Sequence, residues 1–268
     1  MTAGKDSITV VVSALNEEKH LEGAVTTLLE AVRHWFDEYE ILVFNDGSTD
    51  RTGEVAEQLA QRDEHVRAIH HDSPSCIGGV IRKGFAQAEK HYVIWVDGKG
   101  ATTREALDVI FSHRGEADIV VPFPNNQHQR SPARRAVSWT FQRFLLNTVF
   151  GTDLMYFTHC NLYTTAQVQR VKVKTNSYAH QAELVIKLIK SGCSYVQVPV
   201  QDRYDFTGRR TKAFKPGNVF GIARFLASTI WDVYLSGEYR AAKKTRTVNV
   251  TAAEAAPAEM TPATTREE

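Results

Sequence analysis

Ile41-Leu-Val-Phe-Asn-Asp-Gly-Ser-Thr-Asp50-Arg-Thr52 is an apolar run that stops on a carboxylate, turns at a glycine and opens into helix-compatible sequence. An apolar run bounded by turn residues reads as a buried strand, and strands of that kind belong to parallel sheets covered by helices. Further apolar runs occupy 8–13, 66–70, 92–96 and 117–122, and the segments between the first four strands have helical spacing. That alternation predicts an α/β fold with a mostly parallel, Rossmann-like sheet flanked by helices.

The first helix is the clearest. After Asn16-Glu-Glu, apolar Leu21, Val25, Leu28, Leu29 and Val32 recur every three or four residues, and Asn16 is the expected N-cap. A second helical pattern follows Pro132 through Val137, Phe141, Phe144, Leu145 and Val149, and a third covers 178–190. A short strand, Tyr195 to Val200, comes after Gly192. Residues 219–235 form the longest apolar stretch, but Arg224 and Asp232 interrupt it, so it reads as an amphipathic helix and not a membrane span. From about 241 the chain is Ala, Thr, Glu, Pro and Lys without periodicity, and the expectation is a disordered tail. The expected division is one main domain over 1–215, a C-terminal amphipathic helix over 216–240 and the tail over 241–268.

With 32 Lys plus Arg against 31 Asp plus Glu, the overall charge offers no steering towards nucleic acid, so any attraction for phosphate is local. Cys76, Cys160 and Cys193 are odd in number, far apart and without metal-ligand spacing to any His, which suits free thiols in a reducing compartment. The first residues carry no apolar run before Ile8, so neither a signal nor a transit peptide is expected and the cytoplasm is the default.

Ligands of open parallel sheets bind beyond the carboxyl ends of the strands. Three polar clusters are expected there: Asn16-Glu17-Glu18, Asn45-Asp46-Gly-Ser-Thr-Asp50, and Asp97-Gly-Lys99-Gly100. An ionised Asp46 is acceptor-only and suits a base imide N–H or ribose hydroxyls, while Gly47 permits the tight turn after it. Asp50 reads as a helix cap. The pair Gly78-Gly79 opens a helix carrying Arg82 and Lys83, where free backbone N–H groups suit a phosphate or a base; the same segment also reads as a loop-to-helix turn with close packing at Gly84.

Together these pieces resemble glycosyltransferase family 2, of GT-A fold, and most closely the polyprenyl-phosphate glycosyltransferases such as dolichyl-phosphate mannose synthases. The matching motifs are Ala14-Leu-Asn-Glu-Glu18, the 45–52 turn, 78–84 and the strand end at Asp97. Later come His180-Gln-Ala-Glu183-Leu-Val, Gly192, Val198-Pro-Val, Arg203 and Gly208-Arg-Arg-Thr-Lys212. The resemblance implies an inverting transfer from a UDP or GDP sugar to an acceptor, with polyprenyl phosphate a candidate. It places Asn16, Glu18 and Asp46 at the nucleoside and Asp97 at the sugar diphosphate. The full candidate set for the nucleotide sugar is Ala14, Asn16, Glu18, Asp46, Gly78, Arg82 and Asp97.

The chain departs from the family pattern in two places. Relatives pair Asp97 with a second Asp two residues on, and the two hold Mg²⁺ or Mn²⁺ against the diphosphate. Here Lys99 stands in that place. An ammonium there neutralises part of the leaving group without metal, so metal-independent transfer and transfer with a metal on Asp97 are both open. The second departure is Phe157-Thr-His-Cys-Asn161-Leu-Tyr163, which replaces a common Ser-Gly-Phe-Arg-Leu-Tyr and leaves the acceptor open. Catalytic candidates are Asp97, Lys99 and Glu183, with Asp153 and His159 as further candidate bases for a hydroxyl acceptor. Arg203, Arg209 and Lys212 are candidates for an acceptor phosphate or the donor diphosphate.

The 219–235 segment is compatible with contact at the inner face of a membrane, with a homodimer contact or with core packing. A small-molecule or glycan acceptor, and a non-catalytic nucleotide-sugar binding protein, are the competing functions. A nucleotidyltransferase is disfavoured by the Asp-Gly-Ser-Thr-Asp turn.

Overall fold

The computed structural model describes residues 6–129, 132–177, 179–203, 216–239 and 247–249. Five strands alternate with four helices in its first half: β1 (Ser7–Ala14), α1 (Leu21–Trp35), β2 (Glu38–Asp46), α2 (Thr52–Arg62), β3 (Val66–His71), α3 (Ile77–Gln87), β4 (Tyr92–Asp97), α4 (Arg104–Ser112) and β5 (Ile119–Pro124). There follow α5 (Pro132–Ser138), a π-helical stretch Trp139–Leu146, α6 (Asn147–Phe150), β6 (Leu162–Thr164), α7 (Thr165–Gln169), α8 (His180–Lys190) and β7 (Tyr195–Val200). α9 (Pro216–Ile230), a π-helical turn Trp231–Leu235 and β8 (Thr247–Asn249) are the last elements among the described residues.

The strands form one sheet in the order β3-β2-β1-β4-β6-β5-β7-β8. β6 runs antiparallel to both its neighbours, and every other pairing is parallel. Alternation of side chains divides the core. Val10, Val12, Ile41 and Val43 face α1, α2 and α4, while Val11, Leu42 and Phe44 face α3, α8 and the C-terminal helix. Each apolar side chain removed from water contributes roughly 1.5–3 kcal/mol, and both faces of β1 and β2 are sealed.

The expected α/β sheet is therefore present, with three refinements. β6, three residues long, was not anticipated; a strand that short leaves no readable alternation. Asn16 does not cap α1: the helix begins at Leu21 with His20 before it, and Asn16 has a left-handed φ of 57° and turns its side chain towards another loop. Residues 241–268, expected to be a disordered tail, lie outside the described residues except that Thr247–Asn249 pair with β7 as β8.

Register fixes what meets at the carboxyl edge. Ser13 of β1 pairs with Asp97 of β4 on one side and Phe44 of β2 on the other, and Ala14 pairs with Asn45. Asp46 and Asp97 thus end two strands that flank β1, about 10 Å apart across the sheet at the usual strand spacing.

Candidate active site

The 45–52 turn and the loop after β1 form one mesh. Asn16 Oδ1 accepts from the Thr49 N–H at 2.9 Å, and the Asn16 N–H donates to Ser48 Oγ. Glu17 N–H donates to Thr52 Oγ1 at 2.8 Å, while Glu18 Oε2 accepts from the Arg51 N–H at 3.0 Å. Asp50 accepts from Thr52 N–H and Oγ1 through one oxygen and from the Glu18 N–H through the other. Burial would raise its pKa, but these bonds hold it below the ordinary carboxylate value. Gly47 turns at φ +73°, with Pro74 where a Cβ would stand. α2 has Arg51 at its N-cap, with Asp50, the expected cap, one residue earlier and bonded to the Thr52 N–H; Asn16 and Glu18, the nucleoside candidates, each bond a backbone N–H of this turn.

Asp46 is oriented from one side. Its Oδ1 accepts from Ser75 N–H at 2.9 Å, Ser75 Oγ at 2.8 Å and His71 Nδ1 at 2.7 Å. Lys83 Nζ lies 3.0 Å from His71 Nε2. An ammonium has donors only, so Nε2 accepts and the ring proton sits on Nδ1, facing Asp46. All these partners are on Oδ1, and no described residue bonds Oδ2. Ala14 is buried and pairs with Asn45, the residue before this carboxylate.

At the opening of α3, read either as free N–H groups for a phosphate or base or as a packed loop-to-helix turn, the first glycine is engaged. Gly78 N–H donates to the Asn176 carbonyl at 3.0 Å, and Arg82 Nη1 donates to Asn176 Oδ1 at 2.6 Å. A Cβ on Gly78 would fall 2.6 Å from the Asn176 backbone. The glycine is there for this close approach. Close packing at Gly84, against Val11, is as anticipated.

At the end of β4, Asp97 Oδ1 accepts from the Ala101 N–H at 3.2 Å, and Lys99 is exposed with no ion pair among the described residues. Arg203 is fastened to this loop through its N–H to the Ala101 carbonyl, next to an antiparallel bridge between Thr102 and Asp202. Arg209 and Lys212 lie outside the described residues. No three His, Cys, Asp or Glu side chains converge on a metal position among the described residues. Mg²⁺ and Mn²⁺ require near-octahedral oxygen ligation. Asp97 offers a carboxylate bonded through Oδ1 to a backbone N–H and followed by an ammonium two residues on, and the described residues do not by themselves complete a cage for a divalent ion.

The segment before β6 runs beside the end of β4. His159 is buried with Nε2 2.9 Å from Asp202 Oδ1 and Nδ1 2.9 Å from both the Cys160 sulfur and N–H. Burial alone would lower its pKa, but the sulfur and carboxylate beside it raise it well above the ordinary value. Both ring nitrogens are engaged, which does not fit a base facing an acceptor. Glu183 is also sealed: it is 0% exposed, and its oxygens accept from Lys174 N–H, Thr175 N–H and the Lys187 ammonium. Burial raises its pKa, yet these bonds bring it below the usual carboxylate range. The structure places Glu183, one of three candidate bases, inside the protein and away from open solvent. Asp153 is exposed and pairs with Arg143 at 3.0 Å.

His71, Ser75 and Asn176, which touch the candidate residues, were not singled out by sequence reasoning; Lys83 was, but not its contact with His71. The signal for His71 was its place at the end of β3, on the same edge as Asp46 and Asp97; Asn176 has no comparable pattern around it.

Two strand-end carboxylates flank β1 at the carboxyl edge of an α/β sheet, one held from behind and the other two residues from an exposed ammonium. The profile of glycosyl transferase family 2 matches residues 9–171. The chain belongs to that family of glycosyltransferases. It is 25% identical over 218 residues to the polyprenol monophosphomannose synthase of Mycolicibacterium smegmatis, covering 74% of this chain and 81% of that protein. The undecaprenyl-phosphate mannosyltransferase of Micrococcus luteus is 23% identical over 203 residues, with 72% and 82% covered. Glycosyltransferase AglD of Haloferax volcanii is 25% identical over 210 residues, 74% of this chain, and the chain spans a third of that relative's length (33%). Among solved structures, glucosyl-3-phosphoglycerate synthase from Mycobacterium tuberculosis with Mn²⁺, UDP and phosphoglyceric acid superposes with a TM-score of 0.61 at 17% identity, over 85% of this chain and 78% of that one. The fold is GT-A, as the motifs implied.

Proposed function

We propose that this protein transfers a hexosyl unit, with inversion, from a UDP or GDP sugar to a polyprenyl phosphate. The observation that carries the reading is the placement of Asp46 and Asp97 with Lys99 around β1 at one sheet edge. Asp46 Oδ2 is available to accept from the base or ribose of the donor. Lys99 meets the diphosphate, and Arg203 lies one loop away. The acceptor phosphate oxygen bonds to the sugar C1 while the C1–O bond to the diphosphate breaks and its electron pair leaves with the nucleoside diphosphate. A phosphate is already ionised and needs no general base, which agrees with the sealed Glu183 and His159. Lys99 stabilises the departing charge. Among the described residues, Mg²⁺ or Mn²⁺ carried by the donor would rest on Asp97, and the charge of Lys99 would take over part of its role. Two relatives whose names specify polyprenol or undecaprenyl phosphate support the acceptor class.

Contact with a lipid surface follows from the same reading. No helix among the described residues is long and apolar enough to cross a membrane. Trp139, Phe144, Trp231 and Leu235 are nonetheless exposed, on helices joined by the Tyr234 hydroxyl to the Val149 carbonyl and by stacking of Phe150 on Tyr234. Exposed aromatic and aliphatic side chains of this kind suit the interfacial layer of a bilayer. The test is incubation of the protein with radiolabelled UDP- and GDP-hexoses, polyprenyl phosphate and either EDTA or Mn²⁺. Label entering the organic phase with EDTA present is expected. Label confined to water overturns the acceptor, and binding of a nucleotide sugar without turnover overturns the enzyme.

A further inference from the structure

We propose that Glu183, Lys187 and Asp232 are positioning residues for the donor: their buried ion cluster transmits the docking of the C-terminal segment to the opening of α3 and so to Asp46. This rests on the reading of that sheet edge as a nucleotide-sugar site.

Lys187 is 0% exposed, and its ammonium donates to Glu183 Oε1 at 2.6 Å, Asp232 Oδ2 at 2.8 Å and the Lys172 carbonyl at 2.7 Å. Three donors meet three acceptors, so the cation is saturated. Buried ion pairs are often no more stabilising than apolar side chains of the same volume. Bulk stability therefore accounts poorly for this cluster, whereas its geometry has a clear consequence for the segment it grips.

That segment is 172–176. Glu183 accepts from two consecutive backbone N–H groups in it, Lys174 at 3.0 Å and Thr175 at 2.9 Å. From the other side the C-terminal segment holds the same residues: Asp232 Oδ1 accepts from Lys174 Nζ at 2.6 Å, and Tyr239 Oη accepts from the Lys172 N–H at 3.3 Å. The next residue, Asn176, is the one whose carbonyl and side chain fix Gly78 and Arg82. Cys76, just before α3, is held at φ 63°, and Ser75 before it supplies two of the bonds that orient Asp46. The links are hydrogen bonds, the close approach at Gly78 and the backbone of 174–176 and 75–78, and together they run from Asp232 to Asp46.

Such a path is a claim about coupling and is tested as one. Binding of UDP and GDP to the full chain is measured by calorimetry for wild type, Asp232→Asn, Lys174→Ala, Asn176→Ala and the double variant Asp232→Asn/Asn176→Ala, each confirmed folded by circular dichroism. Each single variant is expected to weaken nucleotide binding about 5- to 30-fold, within the usual range of coupling between sites. The double variant is expected to bind like the weaker single one, because both changes cut one path. Lys174→Ala and Asn176→Ala leave the Lys187 cluster intact and keep the test open if Asp232→Asn does not fold. Folded variants with wild-type affinity and lowered melting temperature overturn the inference and leave a stabilising role. Losses that multiply in the double variant overturn it too. Wild type that binds neither nucleotide overturns the donor reading together with this inference.

Discussion

His71 Nδ1 stands 2.7 Å from Asp46 Oδ1, so the carboxylate that ends β2 is held by the residue that ends β3. Lys83, reaching from α3, fixes the ring from behind. The relay holds Asp46 through Oδ1 and leaves its second oxygen without a bond from any described residue. Preorganisation of this kind lowers the ordering cost of binding.

Replacement His71→Phe keeps a ring against Phe44 but removes both hydrogen bonds. One charge-assisted hydrogen bond contributes roughly 1.5–3 kcal/mol, of which the Ser75 contacts retain a share. The variant is expected to bind the donor nucleotide about 10-fold more weakly with little loss of melting temperature. Calorimetric titration of the nucleoside diphosphate checks this; an unchanged affinity removes His71 from the site.

Gly78→Ala tests the close approach between α3 and residue 176. Its Cβ would meet backbone atoms, which cannot rotate away as a side chain can. Overpacking of this sort costs roughly 1–3 kcal/mol, a fall in melting temperature of about 3–10 °C for a domain of this size. Thermal unfolding followed by circular dichroism measures it. A variant as stable as wild type would mean that the 172–177 segment yields freely.

What the sequence made legible follows from physics that is local. Apolar runs such as 41–44 and 93–96 announce buried strands because both faces are covered, and a carboxylate after each run marks the crevice edge. The Gly84 position was visible as a close approach, though not what approached it, whereas Gly78 was read as opening a helix towards a phosphate or a base. The Glu183–Lys187 pair was hidden for a different reason. At four residues' spacing on a helix it has the pattern of an exposed ion pair, and only Asp232, 45 residues further along than Lys187, turns it into a buried cluster. The same holds for His159, whose partner Asp202 is 43 residues away. Non-local partners leave no periodicity in the chain.

His180 gives a pH dependence with a definite sign. It is 2% exposed, and burial pushes its pKa down to about 4, with Arg82 and Lys187 adding to the effect and Glu183 opposing it. The folded pKa lies below the unfolded one, near 6.5. The unfolded chain therefore takes up a proton that the folded chain refuses. The stability associated with neutral His180 is fully present above pH 6.5 and is lost as pH falls towards 4, on the order of 3 kcal/mol in all. Urea unfolding at a series of pH values compares wild type with His180→Asn. The wild-type curve should fall more steeply between pH 6.5 and 4; parallel curves would show that His180 is protonated in the folded state.

Lys99 carries the sharpest prediction about the proposed chemistry. A metal held by two carboxylates and an ammonium on a flexible stem both place positive charge against the departing diphosphate, but they respond to different perturbations. Chelation removes the first and not the second. Removal of one preorganised group that stabilises a developing negative charge costs on the order of 10²–10³ in kcat. Lys99→Ala is therefore expected to lose turnover by about that factor, with a smaller change in nucleotide affinity, because the charge being stabilised grows in the transition state. Lys99→Asp places a second carboxylate two residues from Asp97 and should recover turnover only when Mn²⁺ or Mg²⁺ is added. Initial rates of the wild type and both variants, each with EDTA and with Mn²⁺, separate the cases. Wild-type activity abolished by EDTA, or Lys99→Ala as active as wild type, would put the leaving-group charge on a metal and take Lys99 out of the reaction.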